Sequence, residues 1–309
     1  MVAQRRNTDM ELQEQRYHFS IAELGVRLIF KPSKRNGLFL LPSFLTFRTE
    51  PFADDRLFLE LTIDDNLKPI SKEDRNLIRS FDTGNGDIVV YEVKGGAYEY
   101  IIKDINGKSC ALLITSSDFK HCACALNGNY NMRCFGLNTV MMLIFAFAGS
   151  LNDVVLIHAS LVRHHGYGYA FIAKSGTGKS TQVSSWLRFI PDCDLMNDDN
   201  PIIRILDDGK PYIYGSPWSG KTPCYRNVKA PLGALTRIDR ATVNSCERVS
   251  PIEAFASVLP SCSSMKWDVP TYHKVCDTVT RIIETTPIYT LHCLPDREAA
   301  EVCHKMIAR

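Results

Sequence analysis

The stretch YAFIAKSGTGKSTQVSSW, residues 169–186, combines an apolar strand, a loop with two glycines and a segment that fits a helix. In phosphate-binding loops, backbone N–H groups and the start of the next helix point at the phosphates, while a lysine adds positive charge. The segment Ala173–Ser180 (AKSGTGKS) fits the pattern G-x-x-x-x-G-K-[S/T] except at Ala173, where the pattern has its first glycine. The order strand, loop, helix therefore predicts a phosphate site here.

A second segment, Gly215–Thr222 (GSPWSGKT), matches the same pattern literally. Pro223 and Pro231 follow it closely, which makes it a poor start for a long helix. Without the helix the loop provides little of the cradle that phosphates need. We therefore assign the phosphate site to Ala173–Ser180 and not to the literal match.

The strands around the loop predict an unusual sheet. A strand at Val154–Val162 and the loop strand Tyr169–Ala173 are separated by only a few residues. A parallel pair needs a crossover of about a dozen residues, so these two strands are expected to form an antiparallel hairpin. After the helix, Asp198 and Asp199 follow a strand that begins at Cys193. A helical crossover predicts that this strand runs parallel to the loop strand and brings both carboxylates to the phosphate edge.

The pattern of elements changes near residue 135. Before it, short alternating stretches predict strands at Gly37–Leu45, Leu57–Ile63, Ile88–Val93, Tyr98–Ile102 and Ala111–Thr115. After it, the remaining patterns predict helices at Leu137–Phe147, Ser180–Phe189, Ile252–Val258, Tyr272–Ile283 and Arg297–Ala308, and strands at Cys193–Met196 and Ile202–Leu206. Ser250, Pro251 and Glu253 predict a capping box for the third helix. We predict a β-rich N-terminal domain (1–134) and an α/β domain (135–309).

The composition and net charge of the chain indicate which classes of partner and which location to expect. The chain has 309 residues, of which 45% are hydrophobic and 23% charged, and its net charge is +2. Such a balance does not favour nucleic acid or a membrane surface as a partner. The apolar run Val140–Ala148 is shorter than the roughly 20 residues of a membrane span, and Met1–Tyr17 lacks the apolar core of a signal peptide. We expect a cytoplasmic protein whose 11 cysteines are mostly small core residues.

Four segments of the chain form a combination more specific than any single motif: His158–Ser160, the loop Ala173–Ser180, Asp198–Asp199 and Pro217–Lys221. Together they resemble HPr kinase/phosphorylase and its relatives, whose ATP domain is similar to that of phosphoenolpyruvate carboxykinase. The resemblance covers residues 135–309 and implies a mixed sheet with a phosphate loop. Residues 1–134 do not resemble the N-terminal domain of the HPr kinases, so HPr itself is not implied as the acceptor. A homo-oligomer is implied, because the HPr kinases form hexamers.

The function implied is an ATP- and Mg²⁺-dependent kinase acting on a Ser or Thr hydroxyl of a protein, peptide or small molecule. The residues expected to bind the nucleotide are Ser175, Gly176, Thr177, Gly178, Lys179, Ser180, Thr181, Lys221 and Arg226. Ser180 and Asp199 are expected to bind the metal. By resemblance Asp198 is the base that takes the hydroxyl proton, with His158 and Lys179 as further catalytic residues.

Purely structural interpretations of the same residues stay open. Asp198–Pro201 fits an ordinary turn, His158 fits an apolar strand as a core histidine, and Lys221 and Arg226 fit a solvated surface. Two other functions also stay open. One is a nucleotide-sensing module without catalysis; the other is a pyrophosphate-linked phosphorylase at the same site, as the family's reverse reaction implies.

Overall fold

The computed structural model describes residues 13–309, which form a mixed α/β protein with two mixed β-sheets and a few helices. The first sheet has eight strands in the spatial order β1-β2-β3-β8-β7-β6-β5-β4. Their bounds are β1 (Gln15–Ile21), β2 (Leu24–Phe30), β3 (Leu57–Ile63), β4 (Arg75–Asp82), β5 (Asp87–Val93), β6 (Ala97–Lys103), β7 (Ser109–Thr115) and β8 (His121–Leu126). Strand β3 is parallel to both of its neighbours, and the other pairs are antiparallel.

The strand-rich pattern of the N-terminal half is confirmed by β3, β5, β6 and β7. The strand predicted at Gly37–Leu45 is wrong, because this segment forms two short 3₁₀ turns, Leu38–Leu40 and Pro42–Phe47. Pro42 occupies the first position of the second turn. Its fixed φ suits a helical turn and its missing N–H cannot join a sheet.

The second sheet carries the predicted phosphate loop. Its nine strands are β9 (Val154–Leu156), β10 (Ala159–His164), β11 (Tyr167–Ile172), β12 (Cys193–Asp199), β13 (Ile202–Ile205), β14 (Pro211–Tyr214), β15 (Lys229–Arg240), β16 (Ser245–Arg248) and β17 (Ile288–Cys293). The order is β12-β10-β11-β15-β14-β13-β9, with β17 also pairing β15, and β16 pairing β17.

The single strand predicted at Val154–Val162 is wrong, because the chain divides it into β9 and β10. At the break, the His158 N–H donates to the Ser261 carbonyl at 2.7 Å, and the Ile157 N–H donates to the Pro201 carbonyl at 3.1 Å. Both partners are distant in sequence, so the local apolar pattern gave no sign of them. The break leaves His158 between two strands.

The antiparallel hairpin before the loop is confirmed, since β10 and β11 pair from Ala159↔Ile172 to His164↔Tyr167. Strand β12 is antiparallel to β10. It therefore runs in the same direction as β11, as predicted, with β10 lying between them. The C-terminal ends of β11 and β12 lie at one edge of the sheet.

The described part of the chain also forms five α-helices: α1 (Tyr130–Ser150), α2 (Lys179–Phe189), α3 (Pro251–Val258), α4 (Val269–Thr285) and α5 (Arg297–Ile307). The capping box of α3 is confirmed. Helix α1 has 21 residues and is long and apolar enough to cross a membrane, but 67% of its most apolar window is buried inside the protein. It contacts β7 of the first sheet and β9 of the second, as a core helix does. Eight of the eleven cysteines are buried.

Candidate active site

In the loop between β11 and α2, two glycines with positive φ stand directly before the helix N-terminus. Gly176 and Gly178 have φ angles of 75° and 133°, which side chains of L-residues rarely tolerate. Helix α2 begins at Lys179, directly after Gly178. The N–H groups of a helix's first turn have no partner within the helix, so those of Lys179, Ser180 and Thr181 remain free to bind an anion. Ser175 and Thr181 are exposed beside them.

Asp198 lies against the start of α2. Its Oδ1 accepts hydrogen bonds from the Ser180 hydroxyl at 3.1 Å and the Ser160 hydroxyl at 2.6 Å, and its Oδ2 accepts one from the Thr222 N–H at 3.3 Å. The Asp198 residue is only 3% exposed. Strand β10, helix α2 and the second glycine loop therefore meet at this one carboxylate.

Lys179, His158 and Asp199 form a chain of polar contacts beside it. The Lys179 ammonium donates to Nε2 of His158 at 2.7 Å and to the Ala173 carbonyl at 3.1 Å. Because an ammonium can only donate, Nε2 accepts, and Nδ1 carries the proton of the neutral ring. That Nδ1 lies 3.1 Å from Oδ1 of Asp199. Burial lowers the pKa of Lys179, while the charges of Asp199 and Asp198 oppose this effect.

Asp199 has a φ of 131° although it is not glycine. Residues held in such sparsely populated conformations cluster at functional sites, because the surrounding structure must hold them there. Here the Asn200 side-chain amide donates to Oδ2 of Asp199 at 2.7 Å, and the Asn200 N–H donates to Oδ1 of Asn197 at 3.0 Å. These contacts turn the Asp199 carboxylate toward His158.

The literal match Gly215–Thr222 forms no helix, as its prolines predicted. It lies against the two aspartates instead: the Ser219 hydroxyl donates to the Asp198 carbonyl at 3.0 Å. A Cβ at Gly220 would lie 3.2 Å from Cβ of Asp199, so a small residue suits this contact. Lys221 is exposed and lies between Gly220 and Thr222, whose N–H donates to Asp198. The second loop thus forms one wall of the site and brings Lys221 to it.

The structure does not bring Arg226 to the phosphate loop. Its guanidinium donates to Oδ2 of Asp194 at 2.6 Å, near the start of β12, whereas Asp198 and Asp199 lie at the end of that strand. Arg163 binds the same carboxylate at 2.9 and 3.0 Å. Burial alone would raise the pKa of Asp194, but these hydrogen bonds outweigh it, and the pKa lies below its ordinary value. The contacts of Arg226 are those of a structural ion pair.

Replacing Arg226 with alanine is expected to lower the free energy of unfolding by about 1 kcal/mol and to leave nucleotide affinity unchanged. Because the pKa of Asp194 is lowered by folding, this stabilisation is present above about pH 4 and is lost as the pH falls through the lower folded pKa. Urea unfolding at pH 7 and pH 3 measures the change in the free energy of unfolding and its dependence on pH. Lys221→Ala is the control, and we expect it to reduce nucleotide affinity while stability is retained. Weaker nucleotide binding by Arg226→Ala would refute the structural role of Arg226.

Sequence reasoning missed Arg240 at the end of β15. Its guanidinium donates to the Thr177 carbonyl at 3.2 Å and also binds the Gly176 carbonyl. No motif marks this arginine. Only the parallel pairing of β15 with β11 brings it under the loop, and that pairing has no local sequence pattern.

We expect Arg240→Ala to weaken MgATP binding about tenfold, equivalent to about 1.4 kcal/mol, because the loop carbonyls lose the cation that holds their peptide groups in place. Isothermal titration with MgATP measures the change. The exposed arginine Arg248 on β16, replaced in the same way, is the control. Equal affinities for the two variants would show that Arg240 does not support the loop.

A surface cavity of about 700 Å³ lies away from the loop Ala173–Ser180, at the C-terminal end of α2 and the start of β12, where Arg163, Arg188 and Asp192 are among its lining residues. No protein-family model and no curated protein sequence matches this chain. The fold defines the class of the protein as mixed α/β with two mixed sheets.

Proposed function

We propose that this protein is an ATP-dependent phosphotransferase of the HPr kinase/phosphorylase type, with a phosphoenolpyruvate carboxykinase-like ATP domain, that phosphorylates a Ser or Thr hydroxyl of a protein, peptide or small molecule. The observation that carries the proposal is the cluster of Lys179, Ser180, His158 and two aspartates at the start of α2. Phosphoryl transfer requires mainly positioning and charge stabilisation. A lysine, a hydroxyl, carboxylates and free helix N–H groups supply both.

The loop residues would bind the phosphates. The first-turn N–H groups of α2 point out of its N-terminus, where the helix dipole favours negative charge. Lys179 is buried, and among the described residues the hydrogen-bond partners of its ammonium are Nε2 of His158 and the Ala173 carbonyl. A phosphate oxygen is a stronger acceptor for a cation than either. When a nucleotide binds, the Lys179 ammonium would therefore leave His158 and bind the phosphates.

The donor set also fits Mg²⁺, which supplies charge neutralisation for the transferred phosphoryl group. Mg²⁺ prefers hard oxygen ligands, and the Ser180 hydroxyl and the aspartates provide them. The Ser180 hydroxyl donates to Oδ1 of Asp198, so the two oxygens lie side by side where one ion could contact both.

The exposure of the site supports a hydroxyl acceptor that arrives from solvent. The side chains of His158 and Asp199 are 43% and 32% exposed, so an acceptor can reach them without opening the core.

The proposal includes a cytoplasmic location.

Incubation of the pure protein with MgATP and a cell extract, followed by mass spectrometry of phosphorylated products, tests the proposal. Lys179→Ala is the inactive control. Transfer to a hydroxyl by the wild-type protein alone supports the kinase. MgATP binding without transfer to any acceptor would favour the sensing module, and pyrophosphate formed from a phosphorylated acceptor plus phosphate would favour the phosphorylase.

A further inference from the structure

The two neighbouring aspartates have different surroundings. Asp198 is buried, and both of its oxygens already accept hydrogen bonds from Ser160, Ser180 and Thr222. Those partners surround it on the side of the loop and the sheet, which leaves little access for an incoming hydroxyl. Asp199 instead faces the exposed ring of His158.

We propose, building on the phosphotransferase function above, that Asp198 and Ser180 are the metal-side pair and that His158, oriented by Asp199, accepts the acceptor's proton. This reverses the roles that the resemblance implies for the two aspartates. The Ser180 and Asp198 oxygens lie 3.1 Å apart. Adjacent ligands of an octahedral Mg²⁺ at 2.0–2.1 Å lie about 2.9 Å apart, so both oxygens could serve one ion with little movement.

The proton transfer follows from the hydrogen bonds of His158. Its Nδ1–H faces Asp199, and its Nε2 becomes free once Lys179 turns to the phosphates. As the new bond from the acceptor oxygen to the γ-phosphorus forms, the bond to the leaving ADP oxygen breaks and ADP keeps that electron pair. The acceptor's proton passes to Nε2 of His158, and the Asp199 carboxylate stabilises the resulting imidazolium.

Metal affinity tests the assignment without any need for turnover. Electron paramagnetic resonance of Mn²⁺ with full-length protein and ADP measures how tightly the ion is held. We expect Asp198→Asn to weaken Mn²⁺ binding at least tenfold and Asp199→Asn to change it less than threefold. Ser180→Ala, at an exposed position, should resemble Asp198→Asn even if the buried substitution impairs folding.

The outcomes separate this inference from the function on which it rests. Loss of Mn²⁺ affinity in Asp199→Asn, with affinity retained in Asp198→Asn, would overturn the assignment and leave the kinase intact. Wild-type protein that binds no Mn²⁺ in the presence of ADP would overturn both. Asp199→Asn that holds the ion but transfers phosphate 10²- to 10⁴-fold more slowly supports the proton-transfer role.

An independent observation links the N-terminal half to the same site. Trp218, in the second glycine loop, is 2% exposed. Its ring lies 5.8 Å from that of Phe44, in the 3₁₀ turn Pro42–Phe47, and 5.4 Å from that of Phe145 on α1. We name Phe44, Phe145 and Trp218 the aromatic triad. It belongs to an apolar cluster shared by both halves of the chain.

Within the aromatic triad, Trp218 lies close to the segment that carries the two aspartates. The Trp218 carbonyl accepts a hydrogen bond from the Asn197 side chain at 3.0 Å, directly before Asp198. The indole N–H of Trp218 has no hydrogen-bond partner among the described residues, so its ring is held by packing alone. Movement of Phe44 would therefore move the loop that contacts Asp198.

We infer that Trp218 is a positioning residue, through which the N-terminal half holds the second glycine loop against Asp198 and Asp199. Hydrogen exchange of the full-length protein tests this, because the Gly220 and Thr222 N–H groups bind Asp198. In Phe44→Ala these two amides should exchange at least tenfold faster, with residues 175–181 unchanged, and Phe44→Leu should restore most of the protection.

Leu45→Ala, at the exposed neighbour of Phe44, is the matched control and should leave exchange unchanged. Unaltered protection of Gly220 and Thr222 in Phe44→Ala would overturn the inference. Faster exchange that spreads equally over the whole chain would do so as well, since it would reflect general destabilisation.

Discussion

Lys179→Ala is expected to lower the rate of phosphoryl transfer by about 10³-fold or more. It is also expected to lower nucleotide affinity. The Lys179 ammonium contacts His158 at the start of α2, and the charges of Asp199 and Asp198 lie close enough to affect its pKa. Charge stabilisation in a largely buried position contributes several kcal/mol to such reactions, and each 1.4 kcal/mol is tenfold in rate.

The matched control for this prediction is Lys174→Ala. Lys174 lies in the same loop but is exposed, so its loss should change the rate less than threefold. Single-turnover transfer from γ-labelled ATP measures both variants. Equal rates for Lys179→Ala and the wild-type protein would show that the loop is not the phosphate site.

His158→Asn is expected to slow transfer by about 10²- to 10⁴-fold with nucleotide affinity within threefold of wild type. Asparagine retains a polar side chain but cannot accept the proton as imidazole does. Single-turnover rates and ADP titration together separate the chemical step from binding.

His165→Asn is the control, because His165 is an exposed residue at the tip of the β10–β11 hairpin, away from the loop. It should behave as wild type. A loss of nucleotide affinity in His158→Asn equal to its loss of rate would mean that His158 acts in binding and not in proton transfer.

The parts of the site that lie close together in sequence could be predicted. The strand, the loop and helix α2 follow one another within Tyr167–Phe189, and a short hairpin tip leaves β10 and β11 only one way to pair. The direction of β12 follows from the crossover that α2 provides. Asp198 and Asp199 therefore lie at the same edge of the sheet as the loop Ala173–Ser180, as expected.

Contacts between distant segments could not be predicted in this way. The division of Val154–Val162 depends on carbonyls of Pro201 and Ser261, and the position of Arg240 depends on which strand pairs with β11. Arg226 was expected near the phosphates as a cation of the second glycine loop. The chain between them instead runs back toward the start of β12, where Asp194 binds the guanidinium.

The link between the two halves was also outside the reach of sequence patterns. Apolar periodicity indicates that Phe44, Phe145 and Trp218 are buried, but not that they pack together. Helix α1 begins at Tyr130, before the predicted boundary at residue 135, and contacts both sheets. The N-terminal half therefore shares its core with the half that carries the site.

The central claim is that the phosphates of a nucleotide bind to the N–H groups at the start of α2. Amide NMR of the full-length protein during titration with MgADP tests it most directly. The account predicts that the largest shifts fall on residues 176–181. Shifts centred instead on the cavity that includes Arg163 and Arg188, with residues 176–181 unaffected, would contradict it.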